Sequence, residues 1–358
     1  MTSCGAACCA RLSPDRRLCS DVADDPTTHR SDTQPSIQQC HTIEMSTQDT
    51  RLGITAIGAY VPEHHESNRD KIAGFGLSED FIMEKIGTEH AARKQAGEET
   101  SDMCVSAFRA LEAKHPIRKE AIDCLVVITQ NPDGDGIPHT SAIVHGKLEL
   151  DDSCAAFDIS LGCSGYVYGL MIIRSFMEAG GLKCGLLFTA DPYSKIVNPA
   201  DKNTALLFGD AATVTLISGE AVLLARAFEC GTRGREGDSL MCKGEVLIMN
   251  GRAVFNFSAV EVPQQIRRLL DKAGLAMEEV DVVLLHQGSR FILDTIGRRL
   301  GLGRDKLPSN ISSHGNTVSS SIPLLLSDYL GNTGCKRIVI SGFGVGLSWA
   351  SAILERKQ

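Results

Sequence analysis

The stretch Asp158-Ile159-Ser160-Leu161-Gly162-Cys163-Ser164-Gly165 holds the residue of this chain best placed to do covalent chemistry. An apolar run over 154–159 enters Leu-Gly, then a cysteine, then small residues, then apolar positions at helical spacing. Gly162 and Gly165 allow a tight strand-to-helix turn. Such a turn puts Cys163 at or just before a helix N-terminus, where unpaired N–H groups and the helix dipole favour negative charge. Only a few per cent of an ordinary cysteine is thiolate at neutral pH, so this position is expected to convert a passive thiol into a nucleophile. Taken alone, the same stretch also fits an inert buried cysteine.

Three downstream segments carry groups able to cooperate with it. In Leu284-Leu285-His286-Gln287-Gly288-Ser289-Arg290 a histidine follows an apolar run. In His314-Gly315-Asn316-Thr317-Val318-Ser319-Ser320-Ser321 a loop leads into a helix start with capping residues. In Ser341-Gly342-Phe343-Gly344-Val345-Gly346-Leu347-Ser348-Trp349 a glycine-rich turn between strands brings backbone close to something.

The elements that must position these residues alternate in type. Strands are expected over 52–60, 122–129, 154–159, 184–189 and 211–217, then 223–229, 280–285 and from 337. Helices are expected from 78 through 85 and over 101–115, 138–148 (with Pro138 in its first turn), 260–273, 291–300 and 317–330. Alternation of this kind means a layered α/β protein with much parallel sheet. Each half carries a reactive-looking residue where a buried strand ends, Cys163 in one and His286 in the other. In open α/β sheets the ligand site lies off those strand ends, so two related halves would bring the pair together.

Composition narrows the class. The chain has 358 residues, is 43% hydrophobic and carries a formal charge of −8, enough length for two related halves with substantial cores. The acidic balance gives no support for nucleic-acid or anionic-membrane binding. No apolar run of membrane-spanning length and no secretory core stands out. The 13 cysteines are scattered, odd in number and without a C-x-x-C pair, so a reduced, cytoplasmic compartment with free thiols is expected. Residues 1–48 differ from the rest. Cys4, Cys8, Cys9, Cys19 and Cys40 sit there among Ser, Thr, Asp, Arg and Pro without a hydrophobic period. They are expected to be a disordered extension, or else translation starts at Met45. Cys4-x3-Cys8-Cys9 lacks a second well-spaced pair, so no metal site is expected. The domains are therefore taken as 1–48, then 49–220 with the cysteine, then 221–358 with the histidine and asparagine.

In this order and with these neighbours, the segments from about Arg51 to the C-terminus resemble the β-ketoacyl-acyl-carrier-protein synthase III family of the thiolase superfamily. The resemblance implies a thiolase-like fold, two pseudo-symmetric βαβαβ-type halves layered α/β/α/β/α. It implies that Cys163 is acylated, that His286 and Asn316 form the condensing half of the site, and that the backbone N–H groups of Cys163 and Val345 form the oxyanion hole. Phe208-Gly209-Asp210-Ala211-Ala212 looks like the family's structural segment. The implied reaction is acyl transfer to the cysteine, then decarboxylative Claisen condensation with a malonyl thioester, in fatty-acid initiation or a specialised acyl pathway. Close relatives fit less well: the glycine turn lacks a thiolase's second cysteine, and Asn316 stands where elongating synthases have a second histidine.

Substrate contacts are also implied by the resemblance. Phe81 stands where the family usually stacks a tryptophan on the CoA adenine, and Lys85 replaces an arginine near the phosphates. The basic cluster that follows is altered to Thr88-Glu89-His90. These are weaker grips on a nucleotide, so an acyl group on a carrier protein or a specialised CoA thioester is expected as donor. Arg290, Arg298 and Arg299 match basic positions used in carrier-protein docking, although Asn256 stands where a docking lysine is common. Ile137 is placed to reach a partner subunit's acyl pocket, which implies a homodimer. No bound cofactor is expected; acyl-CoA or acyl carrier protein and malonyl carrier protein are substrates. Two alternatives stay open: a non-decarboxylating acyltransferase of the same fold, and a non-catalytic partner subunit.

Overall fold

Cys124-Leu-Val-Val-Ile128 is apolar at every position and every residue of it is buried, as expected of a strand covered on both faces. This strand belongs to the central sheet of a computed structural model that describes residues 51–357. The extension expected over 1–48 lies outside the described residues. In chain order the strands are β1 (Gly53–Tyr60), β2 (His65–Ser67), β3 (His90–Ala92), β4 (Cys124–Ile128), β5 (Ala155–Ile159), β6 (Cys184–Ala190) and β7 (Ala212–Ser218). They continue with β8 (Leu223–Thr232), β9 (Leu240–Lys243), β10 (Val246–Met249), β11 (Val282–Leu285), β12 (Arg337–Gly344) and β13 (Ser348–Arg356).

Nine of these strands form one sheet in the order β11-β12-β13-β8-β1-β7-β6-β4-β5. Its two parts meet at a single residue pair, Ile54 with Leu223. The parts repeat one another. In the first, β4 runs parallel to β6, and β6-β7 and β7-β1 are antiparallel. In the second, β11 runs parallel to β12, and β12-β13 and β13-β8 are antiparallel.

Side-chain alternation along the strands builds three cores, hence five layers. Leu125 and Val127 of β4 pack outward with helices Thr100–Glu112 and Thr140–Leu148. Val126 and Ile128 face inward and join Val282 and Leu284 of β11 around helices Gly165–Gly180 and Ser321–Ser327. Val283 and Leu285 face the other outer core, under helices Gly251–Ala273 and Arg290–Leu300.

Several elements differ from the sequence expectation for local reasons. The helix expected over 138–148 begins at Thr140, because the Asp158 carboxylate accepts the N–H groups of Thr140 and Ser141, both at 2.8 Å. The helix expected from 260 begins at Gly251, capped by Asn250, whose Oδ1 accepts the Ala253 N–H at 3.1 Å. The segment expected from 78 through 85 is a wide single turn, Phe81–Ile86. The helix expected over 317–330 is broken into a tight turn, Val318–Ser320, and a short helix, Ser321–Ser327.

Candidate active site

Cys163 stands one residue before Ser164, the cap of the Gly165–Gly180 helix, after the turn that follows β5. The glycines let this helix lie directly on β4: a Cβ on Gly165 would sit 2.5 Å from Ile128 Cγ2. From the other side, β12 presses bare backbone against the cysteine. A Cβ on Gly344 would sit 2.6 Å from Cys163 Sγ, and one on Gly342 2.5 Å from its carbonyl oxygen. That is the close approach the glycine-rich turn required. The N–H groups of Val345 and of Cys163 itself both bear on the sulfur.

Burial works against a resting thiolate at Cys163. Cys163 is only 4% exposed, and burial pushes its thiol up to about 12; the nearby Asp191 carboxylate adds to this. The two N–H groups pull the other way and are outweighed.

His286 follows β11 directly. Its N–H donates to the Ser341 carbonyl at 2.8 Å, which ties the residue to the parallel neighbour β12. The ring meets Phe343 edge-on, with centroids 5.5 Å apart, and its Nδ1 lies 2.8 Å from Ser321 Oγ. Burial lowers its pKa to about 4, although the Val318 carbonyl pulls it up, so the ring is neutral at pH 7 and carries one N–H.

Asn316 is held by the Phe208-Gly209-Asp210 segment. Its N–H donates to the Leu207 carbonyl at 2.9 Å, and its own carbonyl accepts the Gly209 N–H at 3.0 Å. No side chain fits at Gly209, where a Cβ would lie 1.8 Å from the His314 oxygen. Asp210 anchors the segment by accepting the Lys94 N–H at 3.0 Å and the Ser194 hydroxyl at 2.5 Å. The Asn316 amide is oriented by Val318, whose N–H donates to Oδ1 at 2.9 Å. Its NH2 group is therefore the end left to donate. Val318 reaches that position with φ +52°, a left-handed conformation that costs a β-branched residue roughly 1–3 kcal/mol. The three serines that follow hold the strained loop. Ser319 donates to Asp191 at 2.5 Å, Ser320 to the Thr189 carbonyl at 3.1 Å, and Ser321 lies against His286. Asp191 is fully buried, and burial pushes its carboxyl up to about 6.

Cys163, His286 and Asn316 line one cavity of about 190 Å³, together with Phe81 and Lys85. Its walls are largely apolar, with Leu207, Leu240 and Met249 among them, which suits a slender chain. The exposed Lys85 lies 3.9 Å from the centroid of the Phe291 ring, which stacks on Phe255 at 4.9 Å. The remaining expected contacts lie elsewhere. Arg298 and Arg299 are exposed at the C-terminal end of the Arg290–Leu300 helix and Arg290 opens it; none of the three lines the cavity. Ile137 is 93% exposed and stands apart from its own chain's cavity. Thr88 is buried and its hydroxyl donates to the Leu207 carbonyl at 3.3 Å, so it braces the Asn316 segment instead of meeting a nucleotide. The sequence reading missed Val318, Ser321, Phe255 and Phe291. For Ser321 a signal existed in the run Ser319-Ser320-Ser321, more hydroxyls than a cap requires.

Known proteins similar to this chain are numerous. The family model described as 3-oxoacyl-(acyl-carrier-protein) synthase III matches residues 157–234, and that for its C-terminal part matches 270–356. The β-ketoacyl-acyl-carrier-protein synthase III 1 of Halalkalibacterium halodurans is 36% identical over 313 residues, covering 86% of this chain and 99% of that protein. The β-ketoacyl-acyl-carrier-protein synthase III of Lactococcus lactis subsp. cremoris is 34% identical over 323 residues, covering 84% and 98%. The crystal structure of the Thermus thermophilus enzyme of that name superposes with a TM-score of 0.79 at 31% identity, covering 85% of this chain and 99% of that one. The fold is thiolase-like, and this chain belongs to the β-ketoacyl-acyl-carrier-protein synthase III family.

Proposed function

We propose that this protein joins an acyl group to a malonyl unit by decarboxylative Claisen condensation. The observation that carries this reading is the convergence on one cavity of a buried cysteine with two neutral groups, His286 and Asn316, each able to present an N–H. In the first half-reaction the Cys163 sulfur attacks an acyl thioester and the leaving thiol takes the proton. The N–H groups of Val345 and Cys163 hold the carbonyl oxygen as it becomes negative. In the second, the bond between the malonyl carbon and its carboxylate breaks, carbon dioxide leaves, and the enolate oxygen accepts from His286 and Asn316. The enolate carbon then attacks the acyl group on Cys163, a carbon–carbon bond forms as the carbon–sulfur bond breaks, and the departing thiolate regains its proton from water. No resident cofactor enters this scheme.

The acyl carrier is read as an acidic carrier protein. Arg298 and Arg299 are exposed neighbours in sequence, and the Arg267 guanidinium donates to the Arg299 carbonyl, which brings a third cation to the end of that helix. At the cavity mouth, Lys85 and Phe81 offer a point charge and a ring, a thin grip for a nucleotide. The division into 49–220 and 221–358 is read as two halves joined by the turn between β7 and β8. A homodimer is proposed through β5, which ends the sheet order with β4 as its one neighbour there. Near that edge Phe157 meets the 39% exposed Phe176, and Ile137 offers an apolar side chain to a second subunit. The cytoplasmic reading draws on the eight described cysteines, all free thiols.

The test is labelled malonyl carrier protein with a panel of acyl thioesters, following acyl-enzyme, carbon dioxide and β-ketoacyl product. Release of carbon dioxide coupled to product is expected. An acyl-enzyme that passes its group to an acceptor without loss of carbon dioxide would replace this reading with simple acyl transfer.

A further inference from the structure

The ring of His286 has two nitrogens and, being neutral, one proton to place between them. The condensing role needs that proton on Nε2, so that the ring can donate to the enolate. Nδ1 must then accept a hydrogen bond from something else. What it faces is the Ser321 hydroxyl, at 2.8 Å, in a place where His286 is 2% and Ser321 1% exposed. That hydroxyl has one proton and two acceptors within reach, Nδ1 and the Val318 carbonyl at 2.9 Å. The Val318 carbonyl already takes the Ser321 main-chain N–H at the end of the tight turn. The Gln287 N–H approaches the same hydroxyl oxygen at 3.5 Å from its accepting side.

We propose that Ser321 donates its hydroxyl proton to His286 Nδ1 and so is the positioning residue that holds the imidazole as the Nε2–H tautomer. The proposal rests on the decarboxylative reading above. Its consequence reaches beyond one lost hydrogen bond. Without the hydroxyl, the ring keeps the Val318 carbonyl, a group that can only accept. The ring proton would then move to Nδ1, and Nε2 would present a lone pair to the enolate oxygen. A serine that served only to pack or to begin the Ser321–Ser327 helix would have no such effect.

The measurement is 15N–1H correlation NMR of the histidine-labelled protein, with His286 assigned by its loss in His286→Gln, alongside single-turnover kinetics of both half-reactions. Expected is an Nε2–H ring in the wild type and an Nδ1–H ring in Ser321→Ala. Malonyl decarboxylation in that variant should fall by about 10²-fold, the scale of losing one oxyanion donor, while Cys163 acylation changes far less. Ser321→Thr, which keeps the hydroxyl, should restore both the tautomer and the rate. An Nδ1–H ring in the wild type, or equal losses in the two half-reactions of Ser321→Ala, would overturn the proposal. The wild-type spectrum alone decides the tautomer even if the variant fails to fold. Should the wild type release no carbon dioxide from a malonyl thioester, the condensing reading falls instead, and the spectrum still reports which nitrogen Ser321 serves.

Discussion

The two halves of the sheet share one strand order and differ at one edge. In the first half β5 lies outside β4 as a regular parallel strand and leads straight into Cys163. In the second half the equivalent place beside β11 is taken by irregular chain: the Val283 N–H donates to the carbonyl of Lys306, which belongs to no strand. Freed from a ladder, the chain around 301–321 takes its shape from side chains and from one strained residue, Val318. Each edge delivers a different chemistry. The regular edge ends in Cys163, the proposed nucleophile, next to a helix terminus and two backbone N–H groups. In the proposed reaction the irregular edge delivers side-chain donors, Asn316 by its own loop and His286 through Ser321.

If this division of labour is right, substitutions on the two sides should damage different half-reactions. Cys163→Ala should abolish acyl-enzyme altogether, because no other group at the cavity's inner end can form a thioester; stoichiometric acylation of the variant by intact mass would break the comparison. His286→Ala and Asn316→Ala should each slow malonyl decarboxylation by about 10²–10³-fold. Acylation of Cys163 should survive much better, since its oxyanion donors are main chain. Asn316→Asp is sharper. The Val318 N–H already occupies one oxygen, so an ionised carboxylate would turn its second oxygen toward the developing enolate. Like charges a few ångströms apart in a poorly solvated cavity repel strongly. Single-turnover decarboxylation should therefore fall at least as far as in Asn316→Ala. Normal condensation by Asn316→Asp would remove Asn316 from the enolate.

The same contrast governs what could be read from residue order. The strands, the outer helices and Cys163 announce themselves because their chemistry follows from period and from punctuation by glycine. The end of β12 was legible as a close approach, since Gly342 and Gly344 leave bare backbone against Cys163. The loop before the Ser321–Ser327 helix was not legible. Its run of small polar residues satisfies the pattern of a helix start, yet Val318 turns left-handed and each serine leaves for a distant partner, Asp191, Thr189 or His286. Nothing in local spacing encodes partners 35 to 131 residues away. The burial of Cys163 was out of reach for a related reason. A helix terminus is visible in sequence, whereas the burial that raises the thiol's pKa is a property of the assembled halves.

The smallest expected effect is on stability, and it sets one buried acid in the first half against one buried base in the second. His286 has its pKa lowered from 6.5 to about 4 by burial. Below pH 6.5 the unfolded chain takes up a proton that the fold refuses, so its contribution is intact above that pH and is lost as pH falls toward 4. Asp191, following β6, has its pKa raised from 3.8 to about 6 by burial. Between those values the fold holds a proton that the unfolded chain has released, so stability from this group rises as pH falls through the same window. The two terms oppose each other, and the wild type should show only a shallow change between pH 6.5 and 4.5 from this pair. His286→Gln removes one of them, so its melting temperature should drop less than the wild type's over that range. Melting curves of both proteins at half-unit steps of pH give the answer. Parallel curves would mean that His286 titrates in the fold much as it does in water, and that the cavity is wetter than its 2% exposure implies.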